Sequence, residues 1–394
     1  MVPHDGLVHL KEYGIKDSNV ELINTEIDHK VKYASSTTEP AWNNGHVGLE
    51  PGLWVWRIED FCVVPIPTPQ HGVFYEGDSY IILHSNKVGS GGSEKLGHDI
   101  FFWLGSQTSQ DEAGTATYKT VELDEHLHGA AVQHRELQAN PSEEFLALFP
   151  RLTIRRGGVA SGFRHVQLAE KGAVTTLLRV FKPASGRGTL VVVHEVEPSW
   201  ESLDEDDVFV LDKGEKLWVW QGRKCSPMDK AKAAQVVHDM VQAKHVDVEV
   251  LSQTESRSRI VVKMLGGENA PETFEAKKPL GRGMSQRERE RERRLWRLSD
   301  SSGQLSFDLV REGEISKGDL KGEDVFLLDD SGKAIWVWEG KGASKTEKAM
   351  WLRVAQSYVR KLQSEGDKEG HMTPIARVQE GGESVSFLRA VRVV

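Results

Sequence analysis

Three pairs of carboxylates stand at comparable places along the 394 residues of the chain. Asp78 with Glu112, Asp207 with Asp229, and Asp324 with Glu347 each join an acid that opens an apolar strand to one that opens the following helical segment. A hard divalent cation wants about six to eight oxygens, with carboxylates supplying charge and main-chain carbonyls filling the gaps. An aspartate at a strand start and a glutamate at a nearby helix start can converge across a sheet edge, and Gly77 ahead of Asp78 lets its carbonyl join. An acid at a helix start also complements the positive end of the helix dipole with no metal at all. Spacing leaves both readings open. The later pairs depart from the first: Asp229 is one methylene shorter than glutamate, and Asp206 and Glu323 precede the later aspartates, where only a carbonyl is needed.

Other residues invite other chemistry. Asp124 is followed by Gly129 and Ala131, which by itself reads as the end of a helix. Arg151, Arg155, Arg156 and Arg164 surround Gly157-Gly158. Four cations so close can hold a polyphosphorylated head group by charge-assisted hydrogen bonds, and Arg179, Lys182 and Arg187 could extend the patch. A solvated basic linker accounts for the same residues. His126, His128 and His134 lack the carboxylate or cysteine partners of a zinc site. The chain carries no phosphate loop, no Gly-x-Ser-x-Gly elbow and no His-Glu-x-x-His, so it is expected to act by binding rather than as an enzyme.

The elements that must position these residues recur in order. A strand with a basic residue comes first (Trp56-Arg57-Ile58, Leu178-Arg179-Val180, Trp296-Arg297-Leu298), then an acid opening an apolar strand, a strand closing on Trp-x-Gly or its Trp-Leu-Gly form, and an acid at a helix start. The anchor aspartates lie 129 residues apart (Asp78 to Asp207) and then 117 (Asp207 to Asp324), so each repeat is a domain rather than a solenoid unit. The middle strands are near-continuous apolar runs, as in strands buried on both faces. Leu352, Ala355, Val359 and Leu362 share one helical face, and Met228, Ala231, Val237 and Met240 form a similar set. The expected fold class is α/β (α+β), a central mixed β-sheet between helices in each of three domains at 49–160, 161–268 and 291–394. Residues 1–48 read as an N-terminal extension and 269–290 as a linker; the Arg/Glu run before Arg294 reads as a solvated, self-neutralising helix.

Composition narrows the class. Net charge is -9, which argues against a nucleic-acid partner. Cys62 and Cys225 read as reduced thiols of a cytoplasmic protein, with no signal peptide expected and no apolar run long enough for a transmembrane segment.

The runs Gly105 to Glu112, Leu123 to Glu136 and Gly157 to Phe163 resemble the first domain of the gelsolin/villin family, and Val196 to Trp200 resembles its second. Three domains, with Thr38 to Trp42 ahead of the first, are most similar to the short severin/fragmin-like members. The resemblance covers about residues 35–394. It implies a calcium-dependent protein of the cytoskeleton that binds actin as monomer and at the filament barbed end, severs and caps filaments, nucleates them, and is inhibited by phosphoinositide lipids while itself a monomer. It implies Ca2+ held by the Gly77 carbonyl, Asp78, Glu112 and the Val159 carbonyl. It implies a second ion held by Asp124 and the carbonyls of Gly129 and Ala131, its last ligand coming from actin. The helix from Ser109 to Leu127 is then the one that enters the actin cleft, with Tyr118 and Val121 near the partner. Two competing expectations are a capper that cannot sever and a gelsolin-fold scaffold that does not touch actin.

Overall fold

The computed structural model describes residues 37–88, 95–158, 175–182, 191–278, 280–281, 291–367 and 369–391. The first repeat runs β1 (Gly52–Glu59), β2 (Cys62–Pro65), β3 (Val73–Tyr75), β4 (Ser79–Val88), β5 (Lys95–Leu104), α1 (Gln110–His126), β6 (Ala131–Leu137), α2 (Glu143–Leu146) and β7 (Arg151–Arg155). The second runs β8 (Thr176–Phe181), β9 (Val191–Val196), β10 (Val208–Asp212), β11 (Lys216–Gln221), α3 (Pro227–Lys244), β12 (Asp247–Ser252) and α4 (Arg259–Met264). The third runs β13 (Arg294–Ser299), β14 (Ser306–Glu312), β15 (Val325–Asp329), β16 (Ile335–Glu339), α5 (Lys345–Ser364), β17 (Ile375–Gln379) and α6 (Val385–Ala390).

Alternation explains the layers. Successive side chains of a strand point to opposite faces, and in β4 both sets are apolar. Ile81 and Leu83 pack with Ala116 and Leu123 of α1, whereas Tyr80 and Ile82 pack on Phe145 and Phe149 near α2. The sheet is therefore buried on both sides, as the apolar runs predict. Trp42 and Val47 belong to the first core, Trp42 edge-on to Trp56, so the described part of the expected extension is part of the domain. In α5, Ala355, Val359 and Leu362 face inward as expected, but Leu352 is not in that core, and Trp351 and Val354 pack against it instead. In α3 the inward set is Ala233, Val236, Val237 and Met240, which corrects the sequence reading: Met228 is 57% exposed and Ala231 is exposed too.

Two departures matter for function. Among the described residues the strands form two sheets rather than three. The first and third repeats share one sheet of ten strands, ordered β14-β13-β15-β16-β17-β6-β5-β4-β1-β2. Its junction is a short antiparallel match of Ile375 with Arg135, Ala376 with His134 and Arg377 with Gln133. The other sheet, β12-β11-β10-β8-β9-β7-β3, takes two strands from the first repeat. The basic segment at Arg151 is thus strand rather than linker, running parallel to β9. Arg291 and Arg293 are not in a self-neutralising helix either; they pair with Asp329 and Asp330 of the third repeat.

Candidate functional site

All three acids at helix starts sit in capping boxes. Ser109, Ser226 and Ser344 accept from the backbone N–H groups of Glu112, Asp229 and Glu347, whose carboxylates reach back to the serine N–H. The helix-start role is therefore present in every repeat. What differs is what each carboxylate has left over.

In the first repeat it has an oxygen to spare. Glu112 Oε2 accepts from Ser109 N at 3.5 Å and from the Thr108 hydroxyl at 3.2 Å. The Thr108 hydroxyl also lies 2.7 Å from Ser79 Oγ, which ties the start of α1 to the start of β4, the strand that follows Asp78. Both acids are buried, and Glu112 Oε1 makes no hydrogen bond among the described residues. A buried carboxylate oxygen without a donor is costly unless something positive meets it. The backbone also comes close: Gly77 N donates to the Gly157 carbonyl at 2.7 Å, and a Cβ at Gly158 would stand 2.3 Å from Asp78 Oδ1. Carboxylate and main-chain oxygens are the donors a hard cation takes, and no cluster of three acidic, histidine or cysteine side chains that could hold one occurs among the described residues. Val159 lies outside the described residues.

In the second repeat an arginine engages the equivalent aspartate. Arg179 Nε donates to Asp207 Oδ2 at 2.5 Å, and its other nitrogens reach Asp204 and the carbonyls of Lys277 and Lys278. A guanidinium already fills the pocket. Burial pushes the Asp207 carboxyl up to about 6, against the pull of Arg179. Asp229 is half-exposed, turned back on Ser226, and Asp206 is exposed. Asp207 is thus held in an internal ion pair with Arg179, and Asp206 and Asp229 take no part in it. In the third repeat Glu347 is fully engaged, Oε2 by Ser344 N at 3.0 Å and Oε1 by Asp300 N at 2.7 Å. Burial and the neighbouring Asp300 raise its pKa. Asp324 is half-buried and Glu323 exposed.

Strand register explains the arginines. Arg57 lies opposite Tyr80, Arg179 opposite Phe209 and Arg297 opposite Phe326, each two residues past the anchor aspartate. The basic landmark therefore sits diagonally across from the acidic one. Arg57 Nη1 is 3.7 Å from Asp78 Oδ2 but is drawn away by Glu59, while Arg179 closes fully on its aspartate. The sequence offered this signal, since both landmarks were visible, but not their diagonal placement.

Asp124 is buried, not at an open helix end. Its Oδ1 accepts from Ala131 N at 3.0 Å, and its Oδ2 from Gln133 Nε2 at 2.7 Å and Arg377 Nη1 at 3.2 Å. Burial raises its pKa, opposed first by Arg377. Gly129 has φ 71°, a left-handed turn that suits glycine, and its N–H donates to the Asp124 main-chain carbonyl at 2.8 Å. Ala131 opens β6. Sequence reasoning missed Arg377; a lone arginine inside the buried-patterned strand Ile375–Gln379 was the available sign.

On α1, Ala116 is buried in the first core, whereas Tyr118 is 48% exposed and Val121 half-buried. Arg151, Arg155 and Arg156 pair with Asp239, Glu195 and Glu197 of the second repeat at 2.6, 2.8 and 2.5 Å. Arg179 is 7% exposed, which removes it from any open basic patch; Lys182 is exposed, and Arg164 and Arg187 lie outside the described residues.

With this geometry in place, comparison with known proteins is direct. The gelsolin repeat matches at residues 61–146, 189–268 and 306–388. The chain belongs to the gelsolin family. It is 39% identical over 363 residues to gelsolin-like protein 1 of Lumbricus terrestris, covering 90% of this chain and 92% of that one. It is 36% identical to severin of Echinococcus granulosus over 90% of this chain and 92% of that protein. Cytoplasmic gelsolin of Halocynthia roretzi matches 86% of this chain at 36% identity, but only 46% of its own length. The family is thus represented here in a three-repeat form. No helix of the described residues is long and apolar enough to cross a membrane.

Proposed function

We propose that this chain severs actin filaments and caps their barbed ends under calcium control, with phosphoinositides as inhibitors. The observation that carries the reading is the near full-length match to a protein named severin. The capping-box helix α1, with Tyr118 outward, supports a helix that enters a cleft of the partner. Calcium, when bound, supplies a double positive charge between carboxylates. Asp78, Glu112 and the carbonyls of Gly77 and Val159 are assigned to one ion, and Asp124 with the carbonyls of Gly129 and Ala131 to another. The chain does the rest. The second repeat attaches to the filament side, α1 wedges between subunits, and the buried contact area holds the cap.

Phosphoinositides on this reading compete for Arg155 and Arg156, once these leave Glu195 and Glu197. Those two ion pairs also favour a second reading, a capper that cannot sever, because they hold the segment between the first two repeats onto the second. Filament counting by fluorescence microscopy decides. Calcium addition is expected to raise filament number and stop barbed-end growth, and chelator to abolish both. Arrested growth at constant filament number selects the second reading; no effect on either overturns both.

A further inference from the structure

We propose that Arg377 of the third repeat is a built-in competitor for the cation site at Asp124, standing where the ion would stand until calcium displaces it. The inference rests on the functional reading above, and it names what that reading does not: which group of the chain the cation must evict.

Three observations converge. First, the junction of the two repeats in the ten-stranded sheet places Arg377 directly opposite Gln133, so its guanidinium reaches across to the Asp124 carboxylate at 3.2 Å. Second, the neighbouring Gln379 covers the next assigned ligand. In the amide orientation that satisfies both neighbours, it donates to the Gly129 carbonyl at 2.7 Å and accepts from Arg377 Nη2 at 2.8 Å. One positive group and one donor of the third repeat thus meet two of the three oxygens assigned to an ion. Third, the guanidinium is shared. Arg377 Nη2 also bonds Glu339 Oε2 at 2.8 Å, so when Asp124 lets go the arginine keeps a carboxylate partner in its own repeat. A latch of this kind opens without stranding a buried positive charge.

The competition is direct because the oxygens cannot serve both. An Asp124 carboxylate paired with a guanidinium offers little to a second cation, and one bound to calcium repels the arginine. The junction is held by the main-chain pairing at Ile375–Arg377, by Val132 packing in the core of the third repeat and by Asn140 donating to the Met372 carbonyl, and the charge contact at Asp124 is the part of it that a cation can address. The second repeat, where Arg179 fills the Asp207 pocket, shows that a guanidinium and such a carboxylate can close on each other in this fold.

The test measures the radius of gyration of the full chain against free calcium by small-angle scattering, without actin. Arg377→Gln should lower the calcium needed for half-maximal expansion about tenfold or more, since calcium no longer pays for breaking the pair. Because this variant leaves Glu339 uncompensated, Arg377→Gln/Glu339→Gln serves as the second variant and should shift the midpoint likewise. In the Asp124→Asn background the Arg377→Gln shift should vanish, as both act through one carboxylate. Equal shifts in both backgrounds, or none in either, overturn the proposal. Capture of monomeric actin at saturating calcium is read in parallel: if no variant and no parent binds actin, the functional reading falls while the scattering result still decides the competition.

Discussion

At the residue scale, chemistry is set by what each carboxylate has left after its structural duties. Three acids with the same helix-capping role end up different: Glu112 keeps an unpartnered oxygen, Glu347 keeps none, and Asp229 faces the exposed side. This was the part of the site hardest to read from the sequence, because the donors that use up the oxygens, such as Asp300 N, come from other strands. Asp124 carries the strongest test. Asp124→Asn should weaken calcium-dependent capture of monomeric actin by about tenfold or more in a pull-down, with near-ultraviolet circular dichroism unchanged. Loss of the folded signal would make Asp124 structural only. Glu136 offers a pH test. Burial pushes its carboxyl up to about 7, although Ser142 N and Oγ both donate to it. The folded pKa exceeds the usual 4.5, so stability is greatest below 4.5 and falls as pH rises to about 7. Glu136→Gln should flatten urea midpoints across that window, removing a slope on the order of 3 kcal/mol at most.

At the scale of elements, most of the architecture was legible. Apolar runs gave β4, β10 and β15, and the acids Glu112, Asp229 and Glu347 marked the starts of α1, α3 and α5. The inward face of α3 was misread because Met228 and Ala231, apolar by type, sit at exposed positions of the helix. β6 was read for its motif and not as a buried strand, since Gln133, His134 and Glu136 are polar. They are buried because Asp124, Asp99 and Ser142 satisfy them and β17 covers the edge. The caps make a graded prediction. Ser226→Ala should cost about 1 kcal/mol in thermal unfolding. Ser344→Ala should cost more, because its part-buried hydroxyl donates at 2.6 Å to Asp300, outside its own cap, whereas that of Ser226 donates to Asp229 within an exposed cap. Equal costs would show that the Asp300 contact adds nothing to the cap.

At the scale of the molecule, the repeats were legible but their joining was not. A sheet edge offers only backbone N–H and C=O groups, and no residue pattern says which other edge will meet them. The shared sheet puts the Asp124 cluster under the third repeat, and the ion pairs of Arg155 and Arg156 fasten the first to the second. Reversing both arginine charges should raise severalfold the phosphoinositide needed to block severing, measured with vesicles of stated lipid content; unaltered sensitivity removes these residues from lipid binding. Calcium control as proposed requires that the junction of β6 with β17 open when calcium arrives. Amide hydrogen exchange across Gln133–Arg135 and Ile375–Arg377 reads it directly. Slow exchange in chelator, fast exchange in calcium, and renewed protection of the β6 side when monomeric actin is added are expected. Exchange that stays equally slow in calcium while filaments are still cut would contradict the account.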